Sequence, residues 1–445
     1  MTEIATIILA AGAGSRMKSA KPKVLHQIAG RAMISHLLGT VAQLKAAKSV
    51  VVVAPQMDDV RAEVVPAQTA VQAEALGTGH AVAAALPELV GFSGTVLILY
   101  GDTPLITRET LEKMIDLCNR EDGPAVVVLG FEPDDPAEYG RLVTTDGGQL
   151  SAITEYADAS NEVRAIGLCN SGVMAIDADH IHDLVGALSN ENSKGEYYLT
   201  DIVEIANKAD LSCAAVIGDE DELLGVNNRT QLAQAEKIAQ RIWRQTAMQN
   251  GATLIDPDSV FFSHDTVLGR DVVIEPNVFF GPGVTVGDDV RIKANSHIEG
   301  ATIGDGAQIG PFARLRPGAD LAAQVKVGNF VEIKKATLEK GAKVSHLSYI
   351  GDARIGVAAN IGAGTITCNY DGYNKFKTDI GAGAFIGSNT ALVAPVSIGN
   401  GAIIGAGSTV TKSVETDALM VERADEIQKS GWATRFRKMK LRLKK

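Results

Sequence analysis

Long hydrophobic runs are missing from this 445-residue chain. No stretch approaches the roughly 20 apolar residues that a membrane-crossing helix needs. The N-terminal apolar run follows an acidic residue, Glu3, rather than a basic leader. A cytoplasmic location is expected. Cysteine is scarce. Cys118, Cys169, Cys213 and Cys368 stand far apart with no C-x-x-C pair. That spacing suggests neither a disulfide framework nor a cysteine zinc site, and it fits a reducing compartment. An excess of positive charge is missing too. The formal net charge is −11, which argues against nucleic acid as a partner, because polyanion binding draws on lysine and arginine. Only the C-terminus departs from this balance, where Arg435, Arg437, Lys438, Lys440, Arg442, Lys444 and Lys445 crowd together. They read as a solvated tail.

What is present suits a folded protein of two or three domains, with 46% hydrophobic and 21% charged residues. The first half alternates short β-branched runs (residues 4–9, 50–53, 96–99 and 126–129) with amphipathic stretches such as 32–46 and 108–118. That pattern predicts an α/β, Rossmann-like domain with a largely parallel sheet, whose ligands gather at the strand C-termini.

The second half follows another rule. Apolar residues recur at steps of six: Leu268, Ile274, Phe280, Val286, Ile292, Ile298. After a five-residue step the series resumes at Ile303 and runs through Ile309, Leu315, Leu321, Val327 and Ile333, then Leu338, Val344 and Ile350, then Ile355 and Ile361. An insertion follows, and Ile380, Ile386, Leu392, Ile398, Ile404 and Val410 complete it. Glycine often comes next, as at Gly269, Gly287, Gly304 and Gly362. This period predicts a hexapeptide β-helix, with each anchor pointing into a prism and small residues accepting the corners. It resembles the left-handed parallel β-helices, an exception to the usual crossover hand. Acyltransferases of that fold are typically trimers with sites between subunits. Residues 229–250 read as a linker helix striped by Leu232, Ala235, Ile238, Ile242 and Thr246. The expected domains are 1–228, the linker 229–250, and 251–445.

After the first strand comes Leu9-Ala10-Ala11-Gly12-Ala13-Gly14-Ser15-Arg16-Met17. Such a glycine-rich turn can wrap phosphates or a base with backbone N–H groups. It lacks the third glycine of the dinucleotide fingerprint and the P-loop lysine. With Lys21-Pro22-Lys23 behind it, however, the motif resembles the sugar-1-phosphate nucleotidyltransferases. The resemblance implies that the glycine loop holds the nucleotide and that Arg16 and Lys23 contact phosphates. It implies that Gln72, Gly77 and Thr78 read a uracil, and so favours UTP. Tyr100-Gly101-Asp102 ends a strand and sets a carboxylate at the sheet's C-terminal edge, suited to a hard cation on substrate phosphates. Asp102 is thus a magnesium ligand candidate. The resemblance adds Asn227, which on its own reads equally as a helix cap. It carries sugar contacts over to Gly140, Glu155 and Asn170, with Tyr197 and Thr200 nearby, in the order of the UDP-N-acetylglucosamine pyrophosphorylase branch. No general base is required, since a phosphate monoester with a second pKa of roughly 6 is largely a dianion at neutral pH.

Amine acetylation does need a base, because an ammonium must lose its proton before attacking a thioester. His346 lies two residues past an inward anchor, on an outward or corner position. One coil is about eighteen residues, which stacks Glu332 or Lys334 near it, and a carboxylate there would orient the imidazole. The runs Arg314-Leu315-Arg316-Pro317-Gly318 and residues 328–335, then Asn360-Ile361-Gly362-Ala363-Gly364-Thr365 and the insertion 368–377, closely resemble the acetyltransferase half of a bifunctional bacterial enzyme family. The likeness runs through both halves in order. It implies His346 as base with Glu332 as orienter, and Arg316, Lys334, Tyr349, Asn360 and Lys375 as ligands of glucosamine-1-phosphate. It puts acetyl-coenzyme A along Ala363, Asn369, Tyr370, Ser388, Ala406 and Arg423, and implies a homotrimer. The product, N-acetylglucosamine-1-phosphate, then reacts with UTP to give UDP-N-acetylglucosamine for peptidoglycan and lipopolysaccharide precursors. Two other readings compete with this one: a nucleotidyltransferase whose repeats only oligomerise, and a non-enzymatic assembly protein. His346, Lys23 and Asp102 count against them.

Overall fold

The computed structural model describes residues 3–443 apart from Ala137 and Asp146. It contains two compact units, Met1–Trp243 and Arg244–Lys445.

The first unit is organised around the strand Ile4–Leu9, which is covered on both sides. Ala5 and Ile7 face one core and Ile8 the other, the pattern of a strand buried on two faces. From one edge the strands run Cys213–Ile217, Val126–Phe131, Cys169–Asp177, Thr95–Tyr100, Ile4–Leu9, Lys48–Val53, Gln68–Val71. Neighbours are parallel except at Cys169–Asp177, which is antiparallel to both sides. The apolar-run pattern did not single out that strand, because its first residues are Cys169-Asn170-Ser171-Gly172. A hairpin of Arg141–Thr144 and Leu150–Thr154 pairs beside it. The helices Met33–Gln43 and Arg108–Cys118 cover one face, and Thr78–Ala85, Ala178–Gly186 and Ile202–Lys208 cover the other.

The expected linker is a continuous helix, Arg229–Gln249. Asn228 caps it, its Oδ1 accepting from the Gln231 N–H at 2.9 Å. Ala235 and Ala239 pack against Ile28, Met33 and Val226. Ile242, expected on the buried stripe, is 43% exposed. Arg244 is buried instead, which its donations to the Val260 carbonyl at 2.8 Å and the Asp258 carboxylate at 2.9 Å permit.

The second unit is a left-handed parallel β-helix of short strands. Every anchor from Ile274 to Val410 in the sixfold series is buried, and only Leu268 at the first coil is partly open. A second row, two residues before each anchor from Ile274 on, is buried as well and is mostly small, as at Ala307, Ala313, Ala342, Ala359, Ala384 and Ala402. Each hexad therefore buries two side chains on alternate positions, as an extended chain requires. The glycine after the anchor has a different cause from the one expected. A Cβ on Gly362 would meet the Gly387 carbonyl carbon at 2.6 Å, so stacking of the next coil excludes a side chain there. The left-handed corners fall mainly on other residues, including Asn277, Asn295, Phe330 and Leu347. The tail forms an exposed helix, Trp432–Arg442, while Lys444 and Lys445 lie outside the described residues.

Candidate active sites

In the first unit, Leu9 and Tyr100 are register partners at the ends of adjoining parallel strands, and Gln72 follows directly on Val71 at the edge. Their shared C-terminal side opens a cleft of about 730 Å³. Leu9, Ala10, Ala11, Gly12, Lys23, Gln72, Gly77, Thr78, Tyr100 and Asp102 all line it. The glycine loop owes its shape to Gly14, at φ +61°, where a Cβ would lie 2.6 Å from the Lys23 Cβ. Lys23 thereby approaches the loop closely. Its ammonium forms an ion pair with Asp102 and donates to Asn227 Oδ1 at 2.9 Å. Asn227 arrives there because the Val226 N–H donates to the Asp102 carbonyl at 2.9 Å. Since Asn228 serves as the cap, Asn227 is left free of that duty.

Two loops close the opposite wall. The Gln72 amide donates to the Gly77 carbonyl at 3.0 Å, and Thr78 Oγ1 accepts from the Leu199 N–H at 3.1 Å. Gly79 and Tyr197 join the same segments through a 2.8 Å backbone bond. Gly140, Glu155 and Asn170 also come together. The Asn170 N–H donates to the Gly140 carbonyl at 2.8 Å, and Thr200 Oγ1 donates to Glu155 at 3.2 Å. Burial raises the Glu155 pKa above the usual carboxylate range, against the lowering effect of the Thr200 bond. Burial likewise pushes the Tyr100 hydroxyl up, with Glu155 and Asp102 adding to it. Gly101 is buried behind the cleft, its N–H bonded to the Leu9 carbonyl. Arg16 stands exposed on the turn Ser15–Met17 and is not among the lining residues.

Among the described residues no group of three or more His, Cys, Asp or Glu side chains gathers to hold an ion. Asp102 and Asn227 do present two oxygens to one cation, the Lys23 ammonium. A carboxylate and an amide oxygen suit a magnesium ion that takes its remaining ligands from phosphates and water.

In the second unit, one edge of the prism carries a continuous row. Backbone bonds step along it from Leu347 N to the Asn329 carbonyl, Gly364 N to His346, Asn389 N to Ala363, and Gly407 N to Ser388. His346, Ala363, Ser388 and Ala406 therefore lie on consecutive coils of one edge, with Arg423 next to Gly405 beyond them. Ser388, Ala406 and Arg423 are exposed.

Cations converge on another part of the surface. Arg316 donates to Glu332 at 2.7 Å, and its Nε is enclosed without a partner among the described residues. Lys375 and Arg316 together depress the Lys334 pKa, a sign that three positive charges share a small region. Tyr349 is the register partner of Glu332. Its ring lies over Gly351, where a Cβ would sit 2.4 Å from the hydroxyl. Asn360 stands apart from these, on the neighbouring face in register with Lys343 and Phe385. Asn369 is buried, its amide held by Asp352 at 2.5 Å, and anchors the insertion, while Tyr370 is exposed. The side-chain partner of His346 is Asn329, at 2.7 Å from Nδ1, rather than Glu332. Sequence spacing did not single out Asn329, because which residues face each other across coils depends on steps of seventeen or eighteen.

A nucleotide-sized cleft at the strand ends, in a chain that also carries a hexapeptide prism, defines a two-domain transferase. Residues 6–166 match the MobA-like NTP transferase domain, and residues 265–300 and 377–412 match the bacterial transferase hexapeptide. Over 98% of its length the chain is 58% identical to the bifunctional protein GlmU of Paramagnetospirillum magneticum, covering 97% of it. It is 59% identical to that of Rhodospirillum rubrum, with 98% of both chains covered. With the Maricaulis maris protein the identity is 57%, over 97% of this chain and 95% of the relative. The chain belongs to the bifunctional GlmU family. It is an enzyme with a uridylyltransferase half and an acetyltransferase half, the two activities of UDP-N-acetylglucosamine synthesis.

Proposed function

We propose that Lys23, Asp102 and Asn227 form the phosphate and Mg²⁺ end of the uridylyl site. The carrying observation is the meeting of a lysine, a carboxylate and an amide oxygen, distant in sequence, at the mouth of one cleft. In this reading Asp102 and Asn227 would hold Mg²⁺, and Lys23 and Arg16 contact the phosphates of UTP. A bound Mg²⁺ would neutralise charge as pyrophosphate leaves. Leu9, Ala10, Ala11 and Gly12 wrap the nucleotide, Gln72, Gly77 and Thr78 hold the uracil, and Gly140, Glu155 and Asn170 hold N-acetylglucosamine-1-phosphate beside Tyr100 and Gly101. No side chain is asked to remove a proton here.

In the acetyl site His346 acts as the base. Arg316, Lys334 and Lys375 take the phosphate of glucosamine-1-phosphate, with Tyr349 and Asn360 on the sugar and Glu332 beside them. The edge from Ala363 through Ser388 and Ala406 to Arg423 offers a track for acetyl-coenzyme A, with Asn369 and Tyr370 at the insertion. Asn360 lies on a different face from Arg316, which supports a homotrimer whose neighbouring chains complete one another's sites. Residues 1–228 and 251–445 are the two catalytic domains and 229–250 the linker. Among the described residues no helix is long and apolar enough to cross a membrane, and the work is assigned to the cytoplasm.

The test follows both half-reactions in wild-type protein. Pyrophosphate release from UTP should need N-acetylglucosamine-1-phosphate and stop when EDTA removes Mg²⁺. Thiol release from acetyl-coenzyme A should need glucosamine-1-phosphate and survive EDTA. Loss of both activities in EDTA would contradict the metal assignment.

A further inference from the structure

We propose that Asn329 is the positioning residue that fixes the tautomer of His346 for acetyl transfer, an inference that rests on His346 being the base. Asn329 and His346 are register partners in parallel strands of consecutive coils. Each precedes a residue in the left-handed region, Phe330 at φ +56° and Leu347 at φ +50°. The strand pairing sends both side chains out from the same edge, and the Leu347 N–H donates to the Asn329 carbonyl at 3.0 Å. The side chains then meet, with His346 Nδ1 and Asn329 Oδ1 2.7 Å apart.

A neutral imidazole has one N–H and one lone pair, and the partner of one nitrogen decides what the other can do. Asn329 Oδ1 accepts the proton of Nδ1. The lone pair is then on Nε2, the nitrogen that faces away from the coil below and is free to take a proton from an ammonium. Without an acceptor at Nδ1 the proton would divide between the two nitrogens, and the fraction with an N–H at Nε2 would be inert. Glu332 does not supply this acceptor, since its carboxylate is engaged by the Arg316 guanidinium at 2.7 Å. Its part belongs to the cationic cluster around Arg316 and Lys334, where it limits the repulsion among the positive charges.

The experiment compares wild type with Asn329→Leu, Asn329→Asp and Glu332→Gln, following acetyl transfer, uridylyl transfer and the ¹⁵N spectrum of labelled histidine. The His346 resonances are identified by their loss in His346→Ala. Asn329→Leu should lower kcat for acetyl transfer on the order of 10²-fold while leaving both KM values within about twofold, because orientation of the base is felt in the transition state rather than in binding. Asn329→Asp keeps an oxygen acceptor and should restore most of the lost kcat. Glu332→Gln should act mainly on KM for glucosamine-1-phosphate. Uridylyl transfer should be unchanged in all of them, and the unchanged KM values of Asn329→Leu report an intact acetyl site. Wild-type His346 should show its proton on Nδ1, and Asn329→Leu a mixture of tautomers. A wild-type proton on Nε2, or full kcat in Asn329→Leu, overturns the proposal. If Asn329→Leu fails to fold, the wild-type tautomer and the Asn329→Asp rate decide it. Full acetyl transfer in His346→Ala would instead remove the base assignment on which the inference stands.

Discussion

Lys23 occupies a position that two roles compete for. Its ammonium neutralises Asp102 and bonds Asn227, the two oxygens proposed above to hold Mg²⁺. Replacing it should therefore separate two effects. Lys23→Met is expected to lower kcat for uridylyl transfer by about 10²-fold or more, the usual effect of removing one group that stabilises transition-state charge. Acetyl transfer should be untouched, and a fall in acetyl transfer would point to misfolding instead. Glu155 gives a second test at this scale. Its folded pKa is raised by burial, so the native state holds its proton to higher pH than the unfolded chain does. Stability should then fall as pH rises from the unfolded value of roughly 4.3 through the folded one. Glu155→Gln keeps an acceptor for Thr200 and removes the buried charge. Thermal unfolding of the variant should lose that downward trend, and an identical slope would contradict the assignment. Lys23 and Asp102 were picked out from compact motifs and Asn227 through the family resemblance, and the fold brings the three side chains together. The sequence could not reveal that Arg316 takes Glu332 and that Asn329 takes His346, since the step between coils varies between seventeen and eighteen residues.

At the scale of elements, the hexad period made the β-helix legible through its anchors, and every described anchor after Leu268 is buried. The reason for the following glycines was not legible. It lies in the backbone of the next coil, 2.6 Å from a Cβ that Gly362 does not have. Gly362→Ala should consequently destabilise the second unit by about 1–3 kcal/mol, the range for overpacking. Acetyl transfer should lose heat resistance while uridylyl transfer keeps it, as residual activity after graded heating will report. Equal heat resistance in variant and wild type would mean the coils can spread. In the first unit the parallel strands of continuous Val, Ile and Leu were readable. The antiparallel strand Cys169–Asp177 was not, because Asn170 and Ser171 break its apolar run, Asn170 Oδ1 accepting from the Gly172 N–H and Ser171 Oγ donating to the Leu129 carbonyl.

For the whole molecule, the question is whether one chain is a complete acetyltransferase. Residues assigned to a single sugar phosphate stand on two faces of the prism, with Arg316 on one and Asn360 on the next. A trimer would bring such faces together, and light scattering should give three times the 46.7 kDa of the chain. A monomer with full acetyl transfer would contradict the shared site. Acetyl transfer and uridylyl transfer should depend on separate sets of residues of this chain, and one comparison separates them. Wild type, His346→Ala and Asp102→Ala are each assayed for thiol release from acetyl-coenzyme A and for pyrophosphate release from UTP. Each substitution should abolish its own half-reaction and spare the other. Loss of both half-reactions from either single substitution, or of neither, would contradict it.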